Sequence, residues 1–194
     1  METLYKFLKI LIALLLVAVL VLAVIRLMPQ KTDTAQETQT VAVPDIAVET
    51  TQAQAETVPD FTVYDAEGTA YKLSDFRGKP VILNFWASWC GPCKAEMPDI
   101  EESYKAYGDE IHFLIVNLTD GSSETVETAS AYIAEQGYTF PVYYDTAMEA
   151  AYAYGISAIP ATYFIDAEGG LVHQQVGMMS ADVLQQGIDL LLGQ

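Results

Sequence analysis

The stretch that most constrains this chain is Trp89-Cys90-Gly91-Pro92-Cys93. It holds the only two cysteines among 194 residues. An apolar run, Val81 to Trp86, leads into it, and a segment with helical character, Gly91 to about Tyr107, leads out. A buried strand that hands a Cys-x-x-Cys pair to a helix N-terminus defines a dithiol redox site. One disulfide at that spacing closes a ring too small to staple a fold, so the pair points to chemistry. Cys90 is expected at the helix end, where free N–H groups and a partial positive charge favour a thiolate. Cys93 lies one turn further in. Cys90 is therefore expected to attack a substrate disulfide and Cys93 to resolve the mixed disulfide. Pro92 sets the turn between them.

The rest of the chain divides into three parts. Ile10 to Ile25 is uninterrupted apolar, with Lys6 and Lys9 before it and Arg26 and Lys31 after it. Counted through Met28, a helix here covers about 28 Å, roughly one hydrocarbon core. The bulky Val24-Ile25-Arg26-Leu27-Met28 lacks a small-x-small cleavage signal. Residues 1–28 are thus expected to be an uncleaved signal anchor, contacting the bilayer through residues 10–28, with the amino terminus in the cytoplasm. The remainder then faces outward on a single-pass cell-membrane protein. Residues 29–58, rich in Thr, Gln, Ala, Glu and Val, read as a flexible acidic linker whose ends average roughly 30 Å apart. Residues 59–194 are expected to form the domain.

Within the domain, Phe61–Asp65 and Thr69–Leu73 read as a hairpin. Ser74–Gly78 reads as a helical turn, and Val81–Trp86 and His112–Leu118 as buried strands. Helices are expected over Gly91–Tyr107, with a kink at Pro98, over Glu124–Gln136 and over Ala147–Tyr154. Pro141–Tyr144 is extended. Thr162–Asp166 and Leu171–Val176 make a second hairpin, and Ser180 caps a last helix. This alternation predicts a mixed central sheet with helices on both faces. Tyr143, Tyr144, Tyr152 and Tyr154 read as core and rim packing residues, not as a cofactor box. The formal net charge of −17 argues against nucleic acid as a partner. Two cysteines with two distant histidines, His112 and His173, fall short of a zinc site, so no metal is expected.

Asn84-Phe85-Trp86-Ala87-Ser88-Trp89-Cys90-Gly91-Pro92-Cys93-Lys94 closely resembles the thioredoxin active-site sequence. Ile159-Pro160-Ala161-Thr162-Tyr163-Phe164-Ile165-Asp166 resembles the thioredoxin segment whose cis-proline faces the dithiol. The resemblance runs from about Pro59 to the carboxyl terminus. It implies a thioredoxin-like α/β fold, a cis Pro160, and Ile159 backbone groups offered to an extended substrate. It also implies that Trp89, Gly91 and Pro92 belong to the substrate-facing surface. Asn84 departs from the pattern, because thioredoxins carry there a buried aspartate that assists proton transfer. Cys90-Gly91-Pro92-Cys93-Lys94-Ala95-Glu96-Met97-Pro98 resembles the membrane-anchored, extracytoplasmic TlpA/ResA-type disulfide reductases, in which a glutamate at the place of Glu96 tunes the cysteines. Thr119–Phe140, with its extra helix, fits the insertion of that family.

The resemblance implies a protein-disulfide reductase with catalytic Cys90, Cys93 and Glu96 and no cofactor beyond the Cys90–Cys93 disulfide. Its expected partners are protein disulfides, including those of apocytochrome c in cytochrome c maturation, and a membrane thiol electron transporter. Electron supply to a methionine sulfoxide reductase, net oxidation of secreted proteins and a redox-inert binding or chaperone module are the alternative readings. A peroxiredoxin-type peroxidase, similar in fold, requires Thr or Ser three residues before its reactive cysteine; Ala87 stands there.

Overall fold

The computed structural model describes residues 57–194. The anchor expected over residues 1–28 and nearly all of the linker lie outside the described residues. Among the described residues no helix is long and apolar enough to cross a membrane.

Among the described residues seven strands form one sheet: β1 (Thr62–Tyr64), β2 (Ala70–Lys72), β3 (Val81–Trp86), β4 (His112–Asn117), β5 (Val142–Tyr144), β6 (Ala161–Ile165) and β7 (Leu171–Val176). Their spatial order is β2-β1-β5-β4-β3-β6-β7. The centre, β5-β4-β3, is parallel, and β6 joins β3 antiparallel. Hairpins β1–β2 and β6–β7 close the two sides. This is the thioredoxin-like mixed sheet implied by the sequence. Thr57 already pairs with Gly170, and Val58 donates to Gly169, so the fold engages the chain just ahead of Pro59.

Among the described residues four α-helices flank the sheet, α1 (Gly91–Tyr107), α2 (Val126–Gln136), α3 (Glu149–Ala153) and α4 (Ala181–Leu192), and Leu73–Phe76 forms a 3-10 turn. Every residue of β3 is buried, as expected for a central strand with both faces covered. Alternation divides its side chains between two cores. Ile82 and Trp86 join Phe113, Ile115, Met97, Ile100 and Phe164 on one side, where both cysteines also lie. Val81, Leu83 and Phe85 join Leu114, Val116, Tyr163 and Phe61 on the other. Pro98 stands inside α1 without ending it.

Two of the helices differ in extent from the sequence reading. The helix expected from Glu124 begins at Val126, because Thr125 is its cap: Thr125 Oγ1 accepts from Thr128 N at 3.2 Å, and Thr128 Oγ1 accepts from Thr125 N at 2.9 Å. The helix expected over 147–154 is shorter. Asp145 captures the first-turn N–H groups of Ala150 and Ala151, and Met148 ahead of it takes a φ of 55°. Among the tyrosines read as packing residues, Tyr144 is buried and Tyr143 and Tyr154 are half-buried, but Tyr152 is 84% exposed. Its place in α3 turns it to solvent, opposite the buried Ala150 and Ala151.

Candidate active site

Strand β3 ends at Trp86, and a tight turn, with Cys90 N donating to Ala87 O at 3.1 Å, swings the chain into α1. Cys90 is the N-cap of that helix. Its extended backbone breaks the helical run, and its Sγ accepts from Cys93 N at 3.2 Å. Pro92 occupies the first turn, where a missing N–H costs nothing because the helix has no acceptor for it there. The sequence thus places a sulfur where serine or aspartate would ordinarily cap. Cys90 and Cys93 are joined as a disulfide. Both are buried, with 4% of Cys90 and 1% of Cys93 exposed.

Around the nearly covered disulfide the surface is open. Gly91 and Pro92 are exposed, and Trp89 is 60% exposed, an unusual position for so large an apolar ring. Facing Cys90 is the loop before β6. The Ile159–Pro160 peptide is cis, and Ile159 O lies 3.8 Å from Cys90 Sγ. Pro160 O accepts from Gly177 N at 2.8 Å, which ties this loop to the segment after β7.

Beneath the disulfide lies a buried polar group. Asn84 on β3 donates through Nδ2 to Glu96 Oε1 at 2.8 Å and to Thr162 Oγ1 at 2.9 Å. Glu96 Oε2 accepts from Met179 N at 2.8 Å. Glu96 is 2% exposed, and burial pushes its carboxyl up to about 7. The Met179 N–H and the Asn84 amide pull it back toward the ordinary range, and Asp99 adds a smaller upward push. Asn84 Oδ1 is buried without a partner. Glu96 sits three residues past Cys93 on the same helix, a spacing that puts the two side chains on adjoining positions.

The structure therefore brings Trp89, Cys90, Gly91, Pro92, Cys93, Glu96, Ile159 and Pro160 to one end of β3 and β6. His112 instead packs edge-on against Phe76, and His173 tilts against Phe164. Three neighbours of the site escaped the sequence reading. Thr162 was legible in principle, since it stands two residues past Pro160 and opposite Asn84 in the β3–β6 register. Met179 contributes only its backbone N–H, which carries no residue signature. Glu124, expected within a helix, is buried beside Ser88.

A thioredoxin-type sheet with a redox-active disulfide capping its first long helix defines a thiol–disulfide exchange protein. The chain belongs to the AhpC/TSA family, whose pattern matches residues 55–174, and within it to the ResA-type thiol-disulfide oxidoreductases. It is 35% identical over 141 residues to the thiol-disulfide oxidoreductase ResA of Geobacillus thermodenitrificans, covering 72% of this chain and 79% of the relative. The crystal structure of StoA from Bacillus subtilis superposes with a TM-score of 0.59 at 29% identity, over 67% of this chain and 96% of that one. The exposed lipoprotein thioredoxin of Streptococcus pneumoniae superposes with a TM-score of 0.57 at 36% identity, over 68% and 98%.

Proposed function

We propose that this oxidoreductase works as a protein-disulfide reductase outside the cytoplasm, with Cys90 attacking and Cys93 resolving. The observation that carries the reading is the Cys90–Cys93 pair at the N-terminus of α1, with Cys90 Sγ beside the Ile159 carbonyl and the open surface of Trp89. In the reduced protein the Cys90 thiolate attacks one sulfur of a substrate disulfide. The substrate S–S bond breaks, a Cys90–substrate disulfide forms, and one substrate thiolate leaves. The Cys93 thiolate then attacks Cys90 Sγ, expelling the second substrate thiolate. Two electrons pass to the substrate, whose thiolates take up protons, and the Cys90–Cys93 disulfide remains.

The resolving step needs Cys93 deprotonated in a buried place, where burial disfavours a thiolate. Glu96, with its carboxyl near 7, is matched to accept and return that proton at neutral pH. Asn84 supports Glu96 and does not replace it, because an amide does not titrate. Trp89, Gly91 and Pro92 form the rim against which a substrate segment lies, and the Ile159 and Pro160 backbone forms the facing wall.

The apolar run Ile10 to Ile25, extended past Arg26 through Met28, supports a bilayer anchor that keeps the domain on the outer side of the cell membrane. There the disulfide requires re-reduction by a membrane thiol electron transporter. Oxidised haem-binding cysteines of apocytochrome c are the proposed clients, which rests on the resemblance of Cys90–Pro98 to the TlpA/ResA-type reductases. Cys93→Ser tests the order of attack. It is expected to trap clients as mixed disulfides through Cys90, recovered from membranes of cells expressing the full chain. Trapping by Cys90→Ser and not by Cys93→Ser would overturn the assignment.

A further inference from the structure

Glu124 has no part in the exchange steps above, yet it is 1% exposed and makes three hydrogen bonds beside the dithiol. Its Oε1 accepts from Ser88 N at 2.7 Å and from Asn117 Nδ2 at 2.7 Å. Its Oε2 accepts from Ser88 Oγ at 2.7 Å. The carboxylate therefore grips both donors of the residue two positions before Cys90. On its other side the grip is anchored to the sheet. Thr119 Oγ1 donates to Asn117 Oδ1 at 2.8 Å, which fixes the Asn117 amide with its NH2 toward Glu124. Thr119 and Asn117 are buried too. Asp120 Oδ1 gathers the N–H groups of Ser122, Ser123 and Glu124, shaping the loop that presents the carboxylate. Hydrogen bonds run in one direction, from Thr119 through Asn117 to Glu124, with Ser88 completing the set.

We infer that Glu124 is a positioning residue for the redox site: clamped between the end of β4 and Ser88, it holds the Ala87–Cys90 turn so that Cys90 Sγ stays over the N–H groups of α1. The turn has one internal backbone bond, Cys90 N to Ala87 O. Its remaining polar tie to another element at Ser88 is Glu124. The Cys93 N–H that stabilises the Cys90 sulfur is 3.2 Å away. Hydrogen-bond strength falls steeply as distance and angle degrade, so a looser turn stabilises the thiolate less. No substitute residue reproduces the grip simply. Glutamine keeps one oxygen for Ser88 N and Asn117 Nδ2 but turns an NH2 toward Ser88 Oγ, which must then accept instead of donate, and the stronger hydrogen bonds of a carboxylate are lost.

The inference rests on Cys90 being the attacking thiol, and its test separates the two claims. The reduced full chain, with Ser88→Ala and Glu124→Gln variants, is alkylated with iodoacetamide as a function of pH, and the labelled peptide is identified by mass spectrometry. Rates are normalised to the folded fraction from circular dichroism. In the wild type, labelling at Cys90 is expected. In Ser88→Ala the neutral-pH rate per folded molecule is expected to fall about threefold, and in Glu124→Gln further, with the midpoint of the rate–pH curve moved up in both. The double variant is expected to react no more slowly than Glu124→Gln alone. Ser88→Ala removes one hydroxyl and no charge, so it carries the test should Glu124→Gln fail to fold. Labelling of Cys90 with unchanged midpoints, or a faster Glu124→Gln, overturns the positioning role alone. Labelling at Cys93 in the wild type overturns the order of attack and the inference with it.

Discussion

Asn84 Nδ2 lies 2.8 Å from Glu96 Oε1, so the residue that departs from the thioredoxin pattern and the residue carried on α1 are direct partners beneath the disulfide. The pairing turns two sequence peculiarities into one device. An amide on β3 steadies a carboxyl on the helix, and only the carboxyl can move a proton. Met179 N completes the support by donating to the second oxygen.

Glu96→Gln removes that proton acceptor with little change in shape. The resolving step is expected to slow by about 10- to 100-fold at neutral pH, the usual range for a lost acid–base group. In the wild type the rate should rise with pH through about 7, as Glu96 ionises. In the variant that inflection should vanish. Stopped-flow tryptophan fluorescence against pH reads both; an unchanged inflection would reduce Glu96 to a packing residue.

The same carboxyl shapes stability. Its folded value, raised from 4.5 to about 7, means that the folded state holds the proton more tightly than the unfolded chain. The stability contributed by protonated Glu96 is full below about pH 4.5 and is lost as pH rises to about 7, a change on the order of 3 kcal/mol. Asp145, raised by burial, acts in the same sense; Glu101, pushed up by burial but held below its ordinary value by the Thr139 N–H and Lys105, contributes stability that is lost only below about pH 4.5, outside this window. Urea melts across this window should show a steeper fall for the wild type than for Glu96→Gln. Parallel slopes would contradict the buried-carboxyl account.

Gly187 in α4 packs where a Cβ would overlap the fully buried Phe164 ring of β6. Gly187→Ala is expected to destabilise by about 1–3 kcal/mol through overpacking, despite alanine's better helix propensity. Thermal melting would register this as a lowered midpoint. A raised midpoint would mean that Phe164 has room to move.

Much of this was legible in the sequence, and the limits have physical causes. The strand Val81–Trp86, the Cys90 cap and both hairpins announce themselves through apolar runs, turn residues and spacing, all local signals. Thr125 and Glu124 were misjudged together. Both suit a helix start, and only the pull of Ser88, far away in the chain, together with Asn117 at the end of β4, draws Glu124 out of the helix and into the core. Met179 acts through an N–H that any non-proline residue supplies. Tyr152 reads as another packing tyrosine until the length of α3 sets its direction. What the residues show poorly is contact between distant segments, and Glu124 illustrates how the surroundings of the dithiol depend on it.

The equilibrium between the Cys90–Cys93 pair and glutathione tests the central claim most directly. A reductase is expected to give a potential in the thioredoxin region, about −270 mV, because its dithiol must hand electrons to client disulfides. A value near about −120 mV, the region of strong disulfide-forming oxidants, would contradict the reductase reading.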